Sequence, residues 1–271
     1  MARSTDIFLC FDLGGTKLRA ALINASGKII AQQAKPVDQS RGLKGLLGDF
    51  KLLADGLPKI KFKTVSVASA GPLHSGKGVL LDPTSFFTGD QTWGIVPLVA
   101  QLKKIFKKPV LLDNDAAAAV MGEYWKGGHG KKRENLIAIT LGTGVGIGVI
   151  TNGQVVRAGR GLHPEASHIP INTTDLSRPC GCGAHGCIEA YLSGTHFAKH
   201  VSGKLGRDVG GKECLALATQ GDKVVTACFD EYAGHLARAV RSLAVVFAPE
   251  TVVIGGGFAE AAPSRLGAPW P

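Results

Sequence analysis

The chain has 271 residues, 45% of them hydrophobic and 19% charged, enough to bury a sizeable core in one large domain or two lobes and too apolar for a disordered chain. No apolar run reaches the roughly 18 residues that cross a bilayer, and Ile7 to Phe11 ahead of Asp12 is too short for a secretory segment, so neither a membrane nor a secreted protein is expected. The net charge is +10, but the lysines form short groups (Lys103, Lys104, Lys107 and Lys108; Lys131 to Arg133) that read as solvated faces and a loop, which suits a polyanionic small ligand better than nucleic acid.

In chain order, Ile7 to Phe11 reads as a strand, Asp12-Leu13-Gly14-Gly15-Thr16-Lys17 as a glycine turn and Leu18 to Ile23 as a second strand. Lys28 to Gln32 returns as a third after the turn Asn24-Ala25-Ser26-Gly27. Leu43, Leu46, Leu47, Phe50 and Leu53 recur at helical spacing and predict a helix over about 40–55. Thr64 to Ala68 is a short strand, 71–94 a loop-rich stretch, and Leu98 to Phe106 an amphipathic helix. Val110 to Leu112 is a buried strand ending at Asp113-Asn114-Asp115, followed by the alanine-rich helix Ala116 to Tyr124. The opening pattern then recurs: strand Leu136 to Thr140, turn Leu141-Gly142-Thr143-Gly144-Val145-Gly146, strand Ile147 to Ile150, a hairpin at Asn152-Gly153, and a return over Gln154 to Arg157. Val225, Cys228, Tyr232, Leu236, Val240, Leu243 and Phe247 mark a long helix, and Thr251 to Ile254 a strand ending in Gly255-Gly256-Gly257. A repeat this long predicts two similar lobes, drawn at 1–113 and 114–271, rather than a solenoid.

Three constellations carry chemistry. Glycines at Gly14 and Gly15, with Thr16 beside them, let backbone N–H groups close on phosphate oxygens, and Asp12 offers oxygen for Mg²⁺; an ordinary tight hairpin is the alternative for this segment alone. The pattern is not a Walker A loop, which would place Gly-Lys-Ser/Thr at the start of a helix. The second copy at Gly142, Thr143, Gly144 and Gly146 shifts the balance to a nucleotide, with two hairpins holding one triphosphate and Gly255 to Gly257 open to a planar group. Asn114-Asp115 lies where a strand meets a helix, so Asp115 is either a helix cap or a general base at a strand end. Cys180, Cys182 and Cys187, with His168 upstream, make a closed Cys₃His set of the kind that holds structural zinc, with His163 and His185 as alternative ligands. Such crowding also points to a reducing compartment, the cytoplasm. Cys10, Cys214 and Cys228 read as small core residues. Glu165 and Glu189 flank the metal cluster and, pinned to it, can accept hydrogen bonds from a polyol.

Together, Asp12 to Lys17, Asn114-Asp115 with its alanine-rich helix, Leu141 to Gly146, Glu165-x-x-His168 and Cys180-x-Cys182-Gly183-x-x-Gly186-Cys187-x-Glu189 resemble the ROK family (repressors, open reading frames and kinases). The resemblance implies the duplicated actin-like, sugar-kinase (ribonuclease H-like) α/β fold with a zinc-binding insertion. It implies Asp115 as catalytic base, and Asn114, Glu165, His168 and Glu189 as ligands of sugar hydroxyls, with Gly71 and Thr84 in the sugar loop. Asp12, Gly14, Gly15, Thr16, Lys17 and Gly142 to Gly146 fall in the phosphate and Mg²⁺ region, Gly255 to Gly257 near adenosine, and His168 doubles as a zinc ligand. Two departures stand out. Pro164-Glu165-Ala166-Ser167-His168 replaces the family's Gly-Glu-x-Gly-His, and Ala261 to Pro271 holds three prolines without helical periodicity where the family continues in helices.

The leading reading is therefore ATP-dependent phosphorylation of a hexose, glucose first, with Mg²⁺, a structural zinc and a homodimer expected. N-acetylhexosamines, mannose or fructose are alternative substrates, and polyphosphate an alternative donor. A sugar-binding pseudokinase is kept because of the C-terminal departure. The DNA-binding branch of the family needs about 60 residues of helix-turn-helix before the first phosphate loop; eleven precede Asp12.

Overall fold

A computed structural model describes residues 5–82, 93–128, 133–175 and 177–261. The chain divides into two compact units. The first runs as far as Ala118 and takes in a later excursion, Arg157–Pro164; the second comprises Ala119–Val156 and the chain from Glu165 onward.

The first unit opens with a meander of β1 (Ile7–Leu13), β2 (Lys17–Asn24) and β3 (Ile29–Pro36), followed by α1 (Gly42–Asp55) and β4 (Val65–Ser69). Three very short strands come next, β5 (Leu73–His74), β6 (Val79–Leu81) and β7 (Ile95–Val96), then α2 (Leu98–Phe106), β8 (Val110–Asn114) and the start of α3 (Asp115–Trp125). The main sheet has the order β3-β2-β1-β4-β8, with β1, β4 and β8 parallel. The alternation of β1 turns Leu9, Phe11 and Leu13 into the core. There the helical repeat of α1 supplies Leu46, Phe50 and Leu53, and α2 supplies Leu98 and Leu102. Phe50 is fully buried, its ring edge-on to Phe11 at 4.7 Å between centroids; truncating such a side chain to alanine typically costs about 3–5 kcal/mol. The stretch expected to be all loop contains the small sheet β5-β6-β7, whose strands of two or three residues are too short to show a period in sequence.

The second unit repeats the design. Its strands β9 (Leu136–Leu141), β10 (Val145–Thr151) and β11 (Gln154–Val155) form a meander. Four helices follow, α4 (Ile188–Leu192), α5 (Gly194–Leu205), α6 (Gly211–Thr219) and α7 (Lys223–Phe247), then β12 (Thr251–Gly255) and α8 (Gly257–Ala261). The sheet order is β11-β10-β9-β12, with β9 antiparallel to β10 and parallel to β12. Strand β9 is buried on both faces: Ile137, Ile139 and Leu141 pack with Tyr191, Phe197, Phe229 and Tyr232, while Leu136 and Ala138 pack with Val120. Helices α5 and α6 lack a clean apolar period. Ser193 starts α5 by accepting a hydrogen bond from the His196 amide, and Asp222 does the same for α7 through Val225. No helix among the described residues is long and apolar enough to cross a membrane.

Candidate active site

In the first unit the parallel strands bring their C-terminal ends to one edge, where α/β sheets place ligands. The ladder aligns Asp12 with Ala68 and Asp113, and Leu13 with Ser69 and Asn114. Asn114 is buried, and its Oδ1 accepts from the Ala116 and Ala117 amides at 2.8 and 3.2 Å. Capping of α3 is therefore the work of Asn114. Asp115 stands one residue later, in the first helical turn, with Oδ1 accepting from the Ala116 amide at 2.8 Å. Burial, reinforced by the negative charge of Asp12, pushes the Asp115 carboxyl above its ordinary value, against that amide. A half-buried carboxylate with a raised pKa at a strand end is what a general base requires.

Asp12 faces Arg19 across the β1–β2 ladder and accepts from its Nη1 at 2.7 Å. Asp12, half-buried and paired with Arg19, is the more accessible of the two carboxylates and offers oxygen of the kind that binds a hard cation. Behind it the first glycine hairpin turns its carbonyls into the protein: Thr16 O accepts from the Val37 amide at 3.0 Å and Gly15 O from Gln39 Nε2 at 3.3 Å. The Gly14 amide donates to Lys17 O at 3.0 Å within the hairpin, which leaves the amides of Gly15 and Thr16 for an anion. Thr16 and Lys17 are exposed. Gly71 lies two residues beyond the end of β4, next to Ala70, whose amide donates to Leu13 O at 3.0 Å. Thr84 lies outside the described residues.

In the second unit, His168, Cys180, Cys182 and Cys187 converge, with one potential ligand atom each, all within 4.8 Å of one another. Cys182 Sγ and Cys187 Sγ are 3.7 Å apart, and Cys180 Sγ is 3.4 Å from His168 Nδ1. Tetrahedral zinc with bonds of about 2.3 Å to sulfur and about 2.0 Å to nitrogen sets its ligands about 3.5–3.8 Å apart, so the donor set fits zinc. Burial and the adjacent thiols push Cys187 up to about 12; a metal ion is the natural means of holding such thiols as thiolates. Gly186 makes the approach of Cys187 possible, because its φ is +81° and a Cβ there would meet Asn172 O at 2.0 Å. His163 and His185 are not in the cluster. Since Nδ1 of His168 faces the sulfurs, Nε2 is the nitrogen left for another ligand.

Glu189, at the start of α4, accepts from the Val145 amide through Oε2 at 3.2 Å. It braces the second glycine hairpin, a role absent from the sequence reading. Gly142 O accepts from the Gly194 amide at 2.8 Å and Thr143 O from Thr195 Oγ1 at 2.9 Å, so this loop also turns carbonyls inward. Gly146 pairs with Thr140 in the ladder. Gly255 ends β12, Gly256 turns the chain at φ +96°, and Gly257 starts α8. Glu165 is exposed, and its carbonyl accepts from the His168 amide at 3.0 Å.

Sequence reasoning also missed a pair in the first unit. Arg157, the first residue of the excursion, donates Nη1 and Nη2 to the two carboxylate oxygens of Asp113 at 2.7 and 2.6 Å. An arginine so far along the chain from its aspartate carries no local signal.

The sequence profile of the ROK family matches residues 8–264. A glucokinase of Thermotoga maritima is 30% identical over 92% of this chain and 81% of its own. An N-acetylmannosamine kinase of Escherichia coli SMS-3-5 is 34% identical over 93% of this chain and 84% of its own. Among solved structures, a ROK family glucokinase from Streptomyces griseus in complex with glucose and AMPPNP superposes with a TM-score of 0.80 at 27% identity, covering 96% of this chain and 87% of the other. With the duplicated sheets, paired glycine hairpins and Cys₃His cluster already in place, these matches make the assignment: the chain belongs to the ROK family.

Proposed function

We propose that the protein transfers the γ-phosphoryl group of ATP to a hydroxyl of a hexose, glucose first, with Asp115 as general base. The observation that carries the reading is the Asp115 carboxyl, held by burial and by Asp12 above its ordinary value at the edge where β1, β4 and β8 end. Asp115 accepts the proton of the attacking hydroxyl, and the sugar oxygen displaces ADP in line. Asn114, Glu165, His168 through Nε2, and Glu189 through the oxygen not bonded to Val145 are the proposed hydroxyl ligands, with Gly71 and Thr84 in the sugar loop. The amides of Gly15 and Thr16, and of Thr143 and Gly144, hold phosphate oxygens, with Lys17 beside the first loop, while Gly14, Gly142 and Gly146 keep the backbone of the two hairpins open to the nucleotide. Gly255 to Gly257 leave room for adenosine. Mg²⁺, carried with the nucleotide and held by Asp12, would supply neutralisation of the developing phosphate charge. Zinc at His168, Cys180, Cys182 and Cys187 is structural and fixes the loop that bears Glu189.

N-acetylmannosamine is the second substrate to weigh, because the kinase of that sugar matches at 34% identity against 30% for the glucokinase. The deciding experiment is a coupled ADP-release assay over glucose, mannose, fructose, N-acetylglucosamine and N-acetylmannosamine, repeated with polyphosphate as donor. Turnover on glucose above the amino sugars is expected. Binding of a sugar without phosphorylation of any would replace the kinase with a sugar-binding pseudokinase.

A further inference from the structure

We propose that Arg157 is a positioning residue for phosphoryl transfer, acting through Asp113 on the strand end that carries Asn114 and Asp115. The inference rests on the reading of Asp115 as base and deepens it.

The Asp113 carboxylate is a junction. Besides the arginine fork it accepts from the Asn114 amide at 2.8 Å and from Ser75 Oγ at 3.1 Å. Three chain segments thus meet on one side chain: the turn after β5, the end of β8, and the excursion that begins at Arg157. Asp113 is half-buried, its side chain 24% exposed, and Arg157 reaches it from the surface with a side chain 31% exposed. Burial alone would raise the Asp113 carboxyl, yet the bonds from Arg157, the Asn114 amide and Ser75 leave it below its ordinary value, so it stays ionised to receive the fork.

The placement gives the junction its consequence. Asn114 caps α3 with its side chain while its own amide is pinned by Asp113. Asp115 is the next residue, so the direction of its carboxylate depends on the adjacent backbone unit, whose amide Asp113 holds from behind. At the other end, the excursion fixed by Arg157 runs directly into Glu165 and His168 in the sequence. Planar bidentate pairing sets angle as well as distance, which a lysine point charge does not. A misplacement on the scale of 1 Å at a reacting group costs about 100-fold in rate.

The test compares Arg157→Ala, Arg157→Lys and Asp113→Asn with wild type and with Arg207→Ala, which removes a solvent-exposed pair to Glu213 in the second unit. Sugar affinity is measured by calorimetry, apart from kcat and from KM for ATP, and hydrogen exchange is followed in the peptide spanning 110–118. Arg157→Ala is expected to lower kcat about 10–100-fold, with a smaller change in sugar affinity, an unchanged KM for ATP and faster exchange in that peptide. Arg157→Lys should recover only part of kcat. The double variant Arg157→Ala with Asp113→Asn should lose little more than either single one. A kcat for Arg157→Ala within about twofold of wild type, full recovery by lysine, or losses shared by Arg207→Ala would overturn the proposal. If wild type phosphorylates no sugar, the kinase reading fails by itself. Exchange and sugar affinity then decide the positioning role: loosening of residues 110–118 with weakened sugar binding supports it, and neither change overturns it.

Discussion

The two glycine hairpins look like copies of one device, yet the protein packs around them differently. A Cβ on Gly14 would meet its nearest neighbour, Lys17 O, at an ordinary 3.6 Å. The first loop is held by backbone and side-chain donors from the chain after β3, and the protein itself does not demand glycine at Gly14. The second loop is clamped. A Cβ on Gly144 would sit 3.0 Å from Glu189 Oε2, one on Gly194 2.9 Å from Gly142 O, and one on Gly256 2.5 Å from Leu141 O. Within the hairpin Gly144 is tight against the Glu189 carboxylate while Gly142 has its nearest neighbour at 4.0 Å; the glycines dictated by backbone contact are Gly194 and Gly256, in the elements packed around the hairpin.

The sharpest way to break this comparison is to attack the chemistry of the first unit while leaving both loops intact. With Asn114 as the cap, Asp115→Asn removes no helix cap, and its expected effect is a fall in kcat of about 10²–10⁴-fold with sugar affinity retained. The sign of the stability change follows from the pKa. A carboxyl raised on folding favours the native state only while protonated, and that stability is lost as pH rises through the folded pKa. Ionised Asp115 therefore costs stability at neutral pH, and Asp115→Asn should melt at or above the wild-type temperature. For the same reason the acid limb of kcat/KM in wild type should lie above the ordinary carboxylate value of 3.8. Wild-type turnover in Asp115→Asn would move catalysis to the phosphate loops alone.

Next in size is Gly256→Ala. A side chain at φ +96° is strained, and its Cβ would press on backbone, which cannot swing aside. A loss of about 2–4 kcal/mol in chemical denaturation is expected, together with weaker nucleotide binding. A variant as stable as wild type would show that the second loop is not clamped.

How much of this was legible beforehand depends on the range of the signal. Both hairpins, the helix over α1 and the Cys₃His set rest on residues close in sequence, where period and spacing survive. The convergence of His168 with the three cysteines was readable for that reason. The assignment of capping to Asn114 rather than Asp115 was not, since it turns on which oxygen faces which amide at adjacent residues. The braces on the second hairpin, and the arginine that forks onto Asp113, join distant segments. Nothing in their own neighbourhood marks them. Helix α6 was hidden by weak amphipathicity and a start without a side-chain cap, and α5 by a start that rests on the single cap Ser193.

Zinc tests whether the brace on the second loop is rigid because the metal loop is rigid. Cys182 is the exposed ligand, so Cys182→Ala removes a donor without opening a core cavity. Purified wild type should carry one zinc per chain by elemental analysis. The variant should lose it, melt lower, and bind both sugar and ATP about 10–100-fold more weakly, as disturbed metal surroundings commonly do. Wild-type ATP affinity in a zinc-free variant would uncouple Glu189 from the second hairpin.

The smallest expected effect belongs to Gly14→Ala, and its smallness is the point. The loop has room for the methyl group and no positive φ to forbid it, so unfolding free energy should change by less than about 1 kcal/mol. If Gly14 is present to let a phosphate oxygen approach the backbone, the same substitution should still raise KM for ATP, with kcat for bound substrate and sugar affinity changed less. Stability and nucleotide affinity would then separate in the first loop and fall together in the second, where Gly256→Ala damages both. Equal losses of stability in the two alanine variants would mean that both loops are scaffold. An unchanged KM in a stable Gly14→Ala enzyme would mean that the first loop does not hold phosphate.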